Sequence, residues 1–211
     1  MNGFARYVRT VERFNYRIGR VAMYLIFVMM AVLIWSSITK VSPFMRPSLW
    51  TLEIAQFLMV AYYIMGGPYS IQLNSNVRMD LAYSVLSRKG KAMVDAFTII
   101  FLLIYLGFLL VGALNSFSYS LGNFREAAVP FLYGLVSAVF TDGFDGAAEK
   151  IGVIERSRSI WRPPMWPVKL LMIFGIVLML LQASAEFIKD IARLKTGLDD
   201  PFGTAPETEN N

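Results

Sequence analysis

The sequence predicts an all-α membrane protein with four transmembrane helices, preceded by an amphipathic helix that lies in the membrane interface. Two observations predict this class. Hydrophobic residues make up 56% of the 211 residues, whereas soluble domains usually contain about 45–50%. The apolar residues are also concentrated in long stretches that contain few or no charges, which is typical of helices that cross a bilayer.

Residues 1–20 predict the interfacial helix. Their arginines recur every three or four residues, so at about 100° per residue they share an arc of roughly 80°, with apolar residues opposite. The arginines are Arg6, Arg9, Arg13, Arg17 and Arg20. A basic amphipathic helix of this kind binds along an anionic membrane surface. Docking of the helix on another protein remains an open alternative.

Four apolar stretches within the membrane domain, residues 21–195, have the length of about 20 residues that a spanning helix needs. They are residues 21–41, 52–73, 94–117 and 168–187. In the second, Gly66-Gly67-Pro68 predicts a kink or an early end. Residues 196–211 are polar and predict a disordered cytoplasmic tail.

The third loop is long, residues 122–167, and holds the apolar segment 127–140. This segment is short for a span, so an interfacial helix, a re-entrant helix and a fifth span all stay open. Lys and Arg number twelve in the N-terminal segment, second loop and C-terminal tail, against eight in the other two loops. This excess predicts that both termini are cytoplasmic.

The composition excludes several kinds of chemistry. The chain has no cysteine and no histidine, so thiolate catalysis, bis-histidine haem ligation and a histidine base are impossible. No nucleotide loop, metal-ligand pattern or nucleophile motif is present, and no cofactor is expected. The net charge is +5, and the charged residues lie between apolar blocks. This pattern favours a membrane surface over nucleic acid as their partner.

Charged residues stand at the ends of the predicted spans rather than in their middle. Glu53, Asp95, Lys169 and Glu186 are interpreted as boundary anchors, whose side chains reach water or headgroups. The spans are therefore predicted to form a scaffold without a reactive group.

Two segments that connect the predicted spans contain the polar residues of most functional interest. The inner one is Asn76-Val77-Arg78-Met79-Asp80. The outer one runs from Glu155 to Lys169 and interleaves arginines, tryptophans and prolines. Trp and Arg are favoured anchors of protein interfaces, so the outer segment suits partner docking. An aromatic headgroup belt is the alternative for its tryptophans.

These features together resemble the small membrane subunit of the TRAP transporters, the DctQ-like family. The resemblance rests on Glu53 at the start of the second span, on Val77-Arg78-Met79-Asp80 after it, and on Ser157…Trp161-Arg162-Pro163-Pro164-Met165-Trp166-Pro167-Val168-Lys169 before the fourth. It covers about residues 10–195. The family often has His where this chain has Asn76, so no protonation role is carried over. The longer third loop resembles the branch with enlarged small subunits.

The resemblance implies a non-catalytic subunit of the bacterial cytoplasmic membrane. In such transporters a periplasmic solute-binding protein captures an organic acid, and a large permease subunit imports it with sodium by an elevator-type motion. The small subunit packs beside the large one and steadies its fixed part. Contacts with that subunit or with lipid are implied for Glu53, Arg78 and Asp80. An outer docking surface is implied for Arg158, Trp161, Trp166 and Lys169.

Two other classes of protein remain as alternatives. A membrane anchor or assembly subunit of another complex would share the apolar helices. A membrane enzyme acting on lipids would have to depend on Asp142, Asp145 and Glu149, which stand in a glycine-rich loop without an adjacent base.

Overall fold

The computed structural model describes residues 2–44, 46–73, 88–124 and 126–196. Within these ranges the chain forms seven helices and no strand, which confirms the all-α prediction. In chain order they are α1 (Asn2–Met23), α2 (Leu25–Val41), α3 (Thr51–Gln72), α4 (Arg88–Ser120), α5 (Ala128–Thr141), α6 (Gly143–Lys150) and α7 (Trp166–Thr196). The predicted tail, apart from Thr196, lies outside the described residues.

Three helical stretches in the described part are long and apolar enough to cross a membrane. They are Gly3–Val41, Met93–Ser120 and Trp166–Thr196. Helix α3 is not among them, because Glu53, Gln56 and several tyrosines dilute its apolar residues. The count of four spans therefore stays a prediction. The helix does not end early at Gly66-Gly67-Pro68, since it continues through Pro68 to Gln72.

The predicted third loop contains two helices. Helix α5 has 14 residues, about 21 Å at 1.5 Å per residue, which is shorter than the hydrocarbon core of a bilayer. Helix α6 covers the stretch around Gly146, where the sequence predicts a glycine-rich loop. Its acidic first turn, with Asp145, and its basic last turn, with Lys150, suit the helix dipole.

The chain divides into two compact units. One consists of Met1–Met23, Met65–Gly107 and Gly175–Asn211. In this unit α1 packs on the last part of α7 through a small apolar cluster of Val8, Val11 and Ala185, with Tyr7, Leu181 and Ile188 against it. Helix α1 also approaches α3 closely at Gly19, because a Cβ at this position would be 2.6 Å from Cβ and Cγ of Tyr69.

Helix α1 crosses α7 steeply. The Tyr7 hydroxyl is 2.8 Å from the Ser184 hydroxyl, and eight residues further along α1 the Asn15 amide is 2.8 Å from Gln182. Eight residues correspond to about 12 Å of helix, whereas the two residues between Gln182 and Ser184 correspond to about 3 Å. Helices that ran side by side would advance equally, so α1 lies across α7.

The other unit consists of Tyr24–Ile64 and Phe108–Phe174. Buried hydroxyl groups join the end of α2 to the start of α3: Thr51 donates to Ser36 at 3.0 Å, and Ser48 is within 3.2 Å of both Thr39 and Thr51. After α4 the chain turns at Gly122, where φ is +85° and a Cβ would lie 2.5 Å from the backbone nitrogen of Val153. Only glycine fits that position.

Candidate interaction sites

A buried polar cluster connects α1 to α7. The Asn15 amide donates to Gln182, Gln182 donates to Glu186 at 3.1 Å, and Lys189 donates to Glu186 at 2.9 Å. Lys189 also forms an ion pair with Glu12. All five side chains are buried. Buried polar groups are costly unless they are paired, so these pairs fix which faces of the two helices meet.

The charge state of Lys189 follows from its two carboxylate partners. Burial alone would lower the pKa of its ammonium group, but the charge of Glu186 and the hydrogen bond with Glu12 outweigh burial and raise this pKa above 10.5. Lys189 lies past the predicted span, residues 168–187. Its ammonium group joins α7 to α1 through the carboxylate of Glu12.

The sequence-based interpretation missed this cluster. It treated Glu186 as a boundary anchor and did not single out Lys189. The structure places Glu186 at 4% exposure, inside the helix contact. The spacing Gln182, Glu186, Lys189 puts three polar groups on one helix face, and that regularity was the available signal.

Asp190 and Arg193 form a second pair at the end of α7, with 2.7 Å between the guanidinium and the carboxylate. Burial raises the pKa of Asp190 from 3.8 to about 6, Arg193 opposes the shift, and the charges of Asp95 and Glu186 add to it. A carboxylate this deeply buried is less stable when ionised than the same group in water.

Glu53, a residue of the predicted subunit or lipid interface, lies inside its own chain. It is 6% exposed and accepts a hydrogen bond of 2.5 Å from the Ser157 hydroxyl. Its other oxygen, Oε2, is buried without a hydrogen-bond partner in the part of the chain that is described. The structure thus brings Glu53 together with the loop between α6 and α7. The other two residues of that interface, Arg78 and Asp80, lie outside the described residues.

The loop between α6 and α7 is held as a short hairpin. The Ser157 amide donates to the Pro163 carbonyl at 2.9 Å, and the Met165 amide donates to the Glu155 carbonyl at 3.0 Å. Arg162, at the tip, has φ of +49°. These bonds give the loop a defined shape.

The predicted outer docking residues behave differently from one another. Arg158, Trp161 and Trp166 are exposed. Lys169 is half-buried, pairs with Glu155 and donates to the Ser116 carbonyl at 3.1 Å. Lys169 therefore supports the base of the loop, while Arg158 and Trp161 lie on the surface of the loop and Trp166 lies at the exposed start of α7.

The predicted membrane-surface arginines, Arg6, Arg9, Arg13, Arg17 and Arg20, are all exposed on α1. Arg6, Arg9 and Arg13 line a shallow cleft of about 420 Å³ together with Ala5 and Thr10.

No group of three or more acidic side chains in the described ranges could hold a metal ion. Asp142 ends α5, and Asp145 and Glu149 stand in α6. The arrangement as a whole is that of a helical protein with membrane-capable apolar helices, and its buried polar groups bind its own segments to one another.

A family match agrees with that class. Residues 29–144 match the DctQ component of the tripartite ATP-independent periplasmic transporters. The chain belongs to this family of small transporter subunits, which confirms the resemblance predicted from the sequence. Membership implies a multi-pass membrane protein that associates with a large permease subunit and a binding protein. No curated protein and no solved structure matches the chain.

The matched range contains Glu53, Arg78 and Asp80 but ends before Ser157. The segment Ser157–Lys169, on which part of the resemblance rested, and the arginines of α1 lie outside it.

Proposed function

We propose that this chain is the scaffold subunit of a transporter that imports an organic acid or a similar solute with sodium. The family match over residues 29–144 carries this proposal. Its buried charged groups support it, because Glu12, Glu186 and Lys189 pair with one another and are not directed at a solute. The large permease subunit then supplies the transport path, and this chain steadies the immobile part of that subunit.

The contact with the large subunit is proposed to include Arg78 and Asp80. Arg78→Ala or Asp80→Ala should lower the yield of the complex purified from detergent-solubilised membranes, and solute uptake should fall with it. Lys195→Ala is the control, because Lys195 is exposed at the end of α7. Unchanged complex yield and unchanged uptake in both variants would remove the two residues from the interface.

For Glu53 the geometry favours a positioning role. Its bond to Ser157 holds the α6–α7 loop, so its effect on partners is proposed to act through that loop. The exposed residues Arg158, Trp161 and Trp166 form the proposed docking surface for the periplasmic binding protein, with Lys169 beneath them. Arg158→Glu should weaken binding of the purified periplasmic binding protein to the complex of the two membrane subunits, measured by surface plasmon resonance. The yield of that complex on purification should not change.

The proposed location is the bacterial inner membrane, with both termini in the cytoplasm and the α6–α7 loop in the periplasm. Lipid, and not nucleic acid, is the proposed partner of the basic residues. Because the chain has no cysteine, single cysteines at Thr196 and Ile160, both exposed, report the two sides. A membrane-impermeant thiol reagent added to spheroplasts should label position 160 and spare position 196; the reverse pattern would refute the orientation.

A membrane anchor of another complex remains the second candidate, because the apolar helices suit a membrane anchor as well as a transporter subunit. Deletion of the gene decides between them. Loss of solute uptake supports the transporter subunit, and unaffected uptake with loss of a membrane enzyme activity supports the anchor.

A further inference from the structure

The arginine face of α1 is where the lipid contact proposed above can be located, and the inference that follows rests on that part of the proposed function. Five arginines, Arg6, Arg9, Arg13, Arg17 and Arg20, stand on one side of the helix, and all are exposed. The buried residues Val8, Val11, Glu12 and Asn15 stand on a different side, with the two arcs centred roughly 150° apart. The contact with α7 therefore leaves the arginines outside it.

The position of α1 along α7 places these arginines near the boundary of the bilayer. α1 contacts α7 between Leu181 and Lys189, where the uncharged stretch of α7 gives way to charged residues. Because α1 crosses α7 steeply, a membrane-spanning α7 puts α1 close to the membrane plane. An arginine row in that plane lies at the depth of lipid phosphates.

Two further observations fit lipid as the occupant. Phe14 is 50% exposed and stands about 60° around the helix from the nearest arginine, which provides an apolar side chain at the edge of the charged row. Arg6, Arg9 and Arg13 line the cleft with Thr10, whose hydroxyl donates to the Arg6 carbonyl at 2.9 Å, so three guanidinium forks border one concavity. Arginine forks match phosphate oxygens in geometry and charge.

We propose that the arginine face of α1 binds the phosphates of anionic lipid headgroups, and that the cleft between Arg6, Arg9 and Arg13 holds one such headgroup. The polar cluster of Glu12, Lys189 and Glu186 holds the helix in position for this contact. Anionic lipid thereby anchors the first helix of the subunit to the membrane surface, independently of any contact with the large permease subunit.

A titration of the full-length chain in neutral detergent tests the proposal. Thr10→Cys, the single thiol of the variant, carries an environment-sensitive fluorophore inside the cleft. Phosphatidylglycerol should change its emission in a saturable way, and added salt should weaken the effect. Phosphatidylcholine and inorganic phosphate should produce no saturable change at the same concentrations.

The decisive comparison is between two triple variants of equal charge. Arg6→Gln, Arg9→Gln and Arg13→Gln together should weaken phosphatidylglycerol binding by about fivefold per arginine. Arg156→Gln, Arg158→Gln and Arg162→Gln, which remove three charges from the α6–α7 loop, should leave it unchanged. The three α1 changes made to Lys keep the charge and should recover most of the affinity.

Three results would overturn the proposal. They are equal affinity in the α1 triple Gln variant, an equal loss in the loop variant, and saturation by inorganic phosphate, which would assign the cleft to a free anion. Complex yield with the large subunit is measured separately on the same variants. A loss of lipid binding with normal yield would leave the scaffold proposal intact, and a loss of yield with normal lipid binding would affect that proposal alone.

Discussion

Replacing Lys189 by methionine is the most direct test of how α1 is held. The ammonium group lies between the carboxylates of Glu12 and Glu186, with 10% of the Lys189 side chain exposed, 7% of Glu12 and 6% of Glu186. Methionine keeps the length of the side chain and removes the charge. Two buried carboxylates then lose their cation, and breaking a buried pair in this way costs about 3–5 kcal/mol.

The free energy of α1 docking can be measured by thiol labelling. Val8 is 0% exposed in the α1–α7 contact, so Val8→Cys reacts with a thiol reagent only when the contact opens, and the chain has no other cysteine. A loss of about 3 kcal/mol corresponds to labelling that is faster by about two orders of magnitude. Lys195→Met is the matched control, because the same change is made at an exposed site of α7.

The double variant Glu12→Gln, Lys189→Met separates charge from packing. It removes one of the stranded carboxylates, so labelling should slow again by at least about tenfold relative to Lys189→Met alone. The reasoning fails if Lys189→Met accelerates labelling by less than about fivefold, or if Lys195→Met accelerates it equally.

Three further predictions concern other contacts. Because burial raises the pKa of Asp190 to about 6, the folded protein retains a proton that the unfolded chain releases, and thermal stability should rise as pH falls from about 7.5 to about 5. Asp190→Asn should flatten this pH dependence of the melting temperature. An unchanged slope in the variant would contradict the prediction. Glu53→Ala removes the acceptor that holds the α6–α7 loop and should speed tryptic cleavage of that loop by roughly tenfold, while the exposed control Gln56→Ala should cleave at the normal rate. Gly19→Ala should lower stability by about 1–3 kcal/mol because its Cβ meets a tyrosine, but Gly3→Ala, with open space around it, should not; equal melting temperatures of the two variants would show that the close approach is unimportant.

The class of the protein followed from the sequence because the bilayer imposes a simple rule. A spanning helix must be long and apolar, and that property is local in the chain. The stretches 21–41, 94–117 and 168–187 met the rule clearly, and helices long and apolar enough were found there. Residues 52–73 met it only weakly, since Glu53, Gln56 and the tyrosines reduce the apolar content, and the fourth crossing remains a prediction for topology mapping.

The role of individual charged residues did not follow in the same way. Glu53 and Glu186 stand at the ends of apolar stretches, so a boundary position explained both from sequence alone. The structure shows that each one is buried against a part of the chain that is distant in sequence. Glu53 accepts a hydrogen bond from Ser157. Glu186 pairs with Lys189, which in turn pairs with Glu12. Which residues meet across helices depends on crossing geometry, and no sequence period encodes it.

The sequence by itself determined that this chain is helical, that lipid is its solvent, that it lacks histidine and cysteine chemistry, and that five arginines share one face of its first helix. These are properties of composition and of spacing along a single helix. Only the tertiary structure decided that α1 lies across α7, that Lys189 joins two carboxylates there, and that Glu53 holds a loop. Those contacts join residues more than 100 positions apart, and side-chain packing selects them from many pairings that the same local pattern allows.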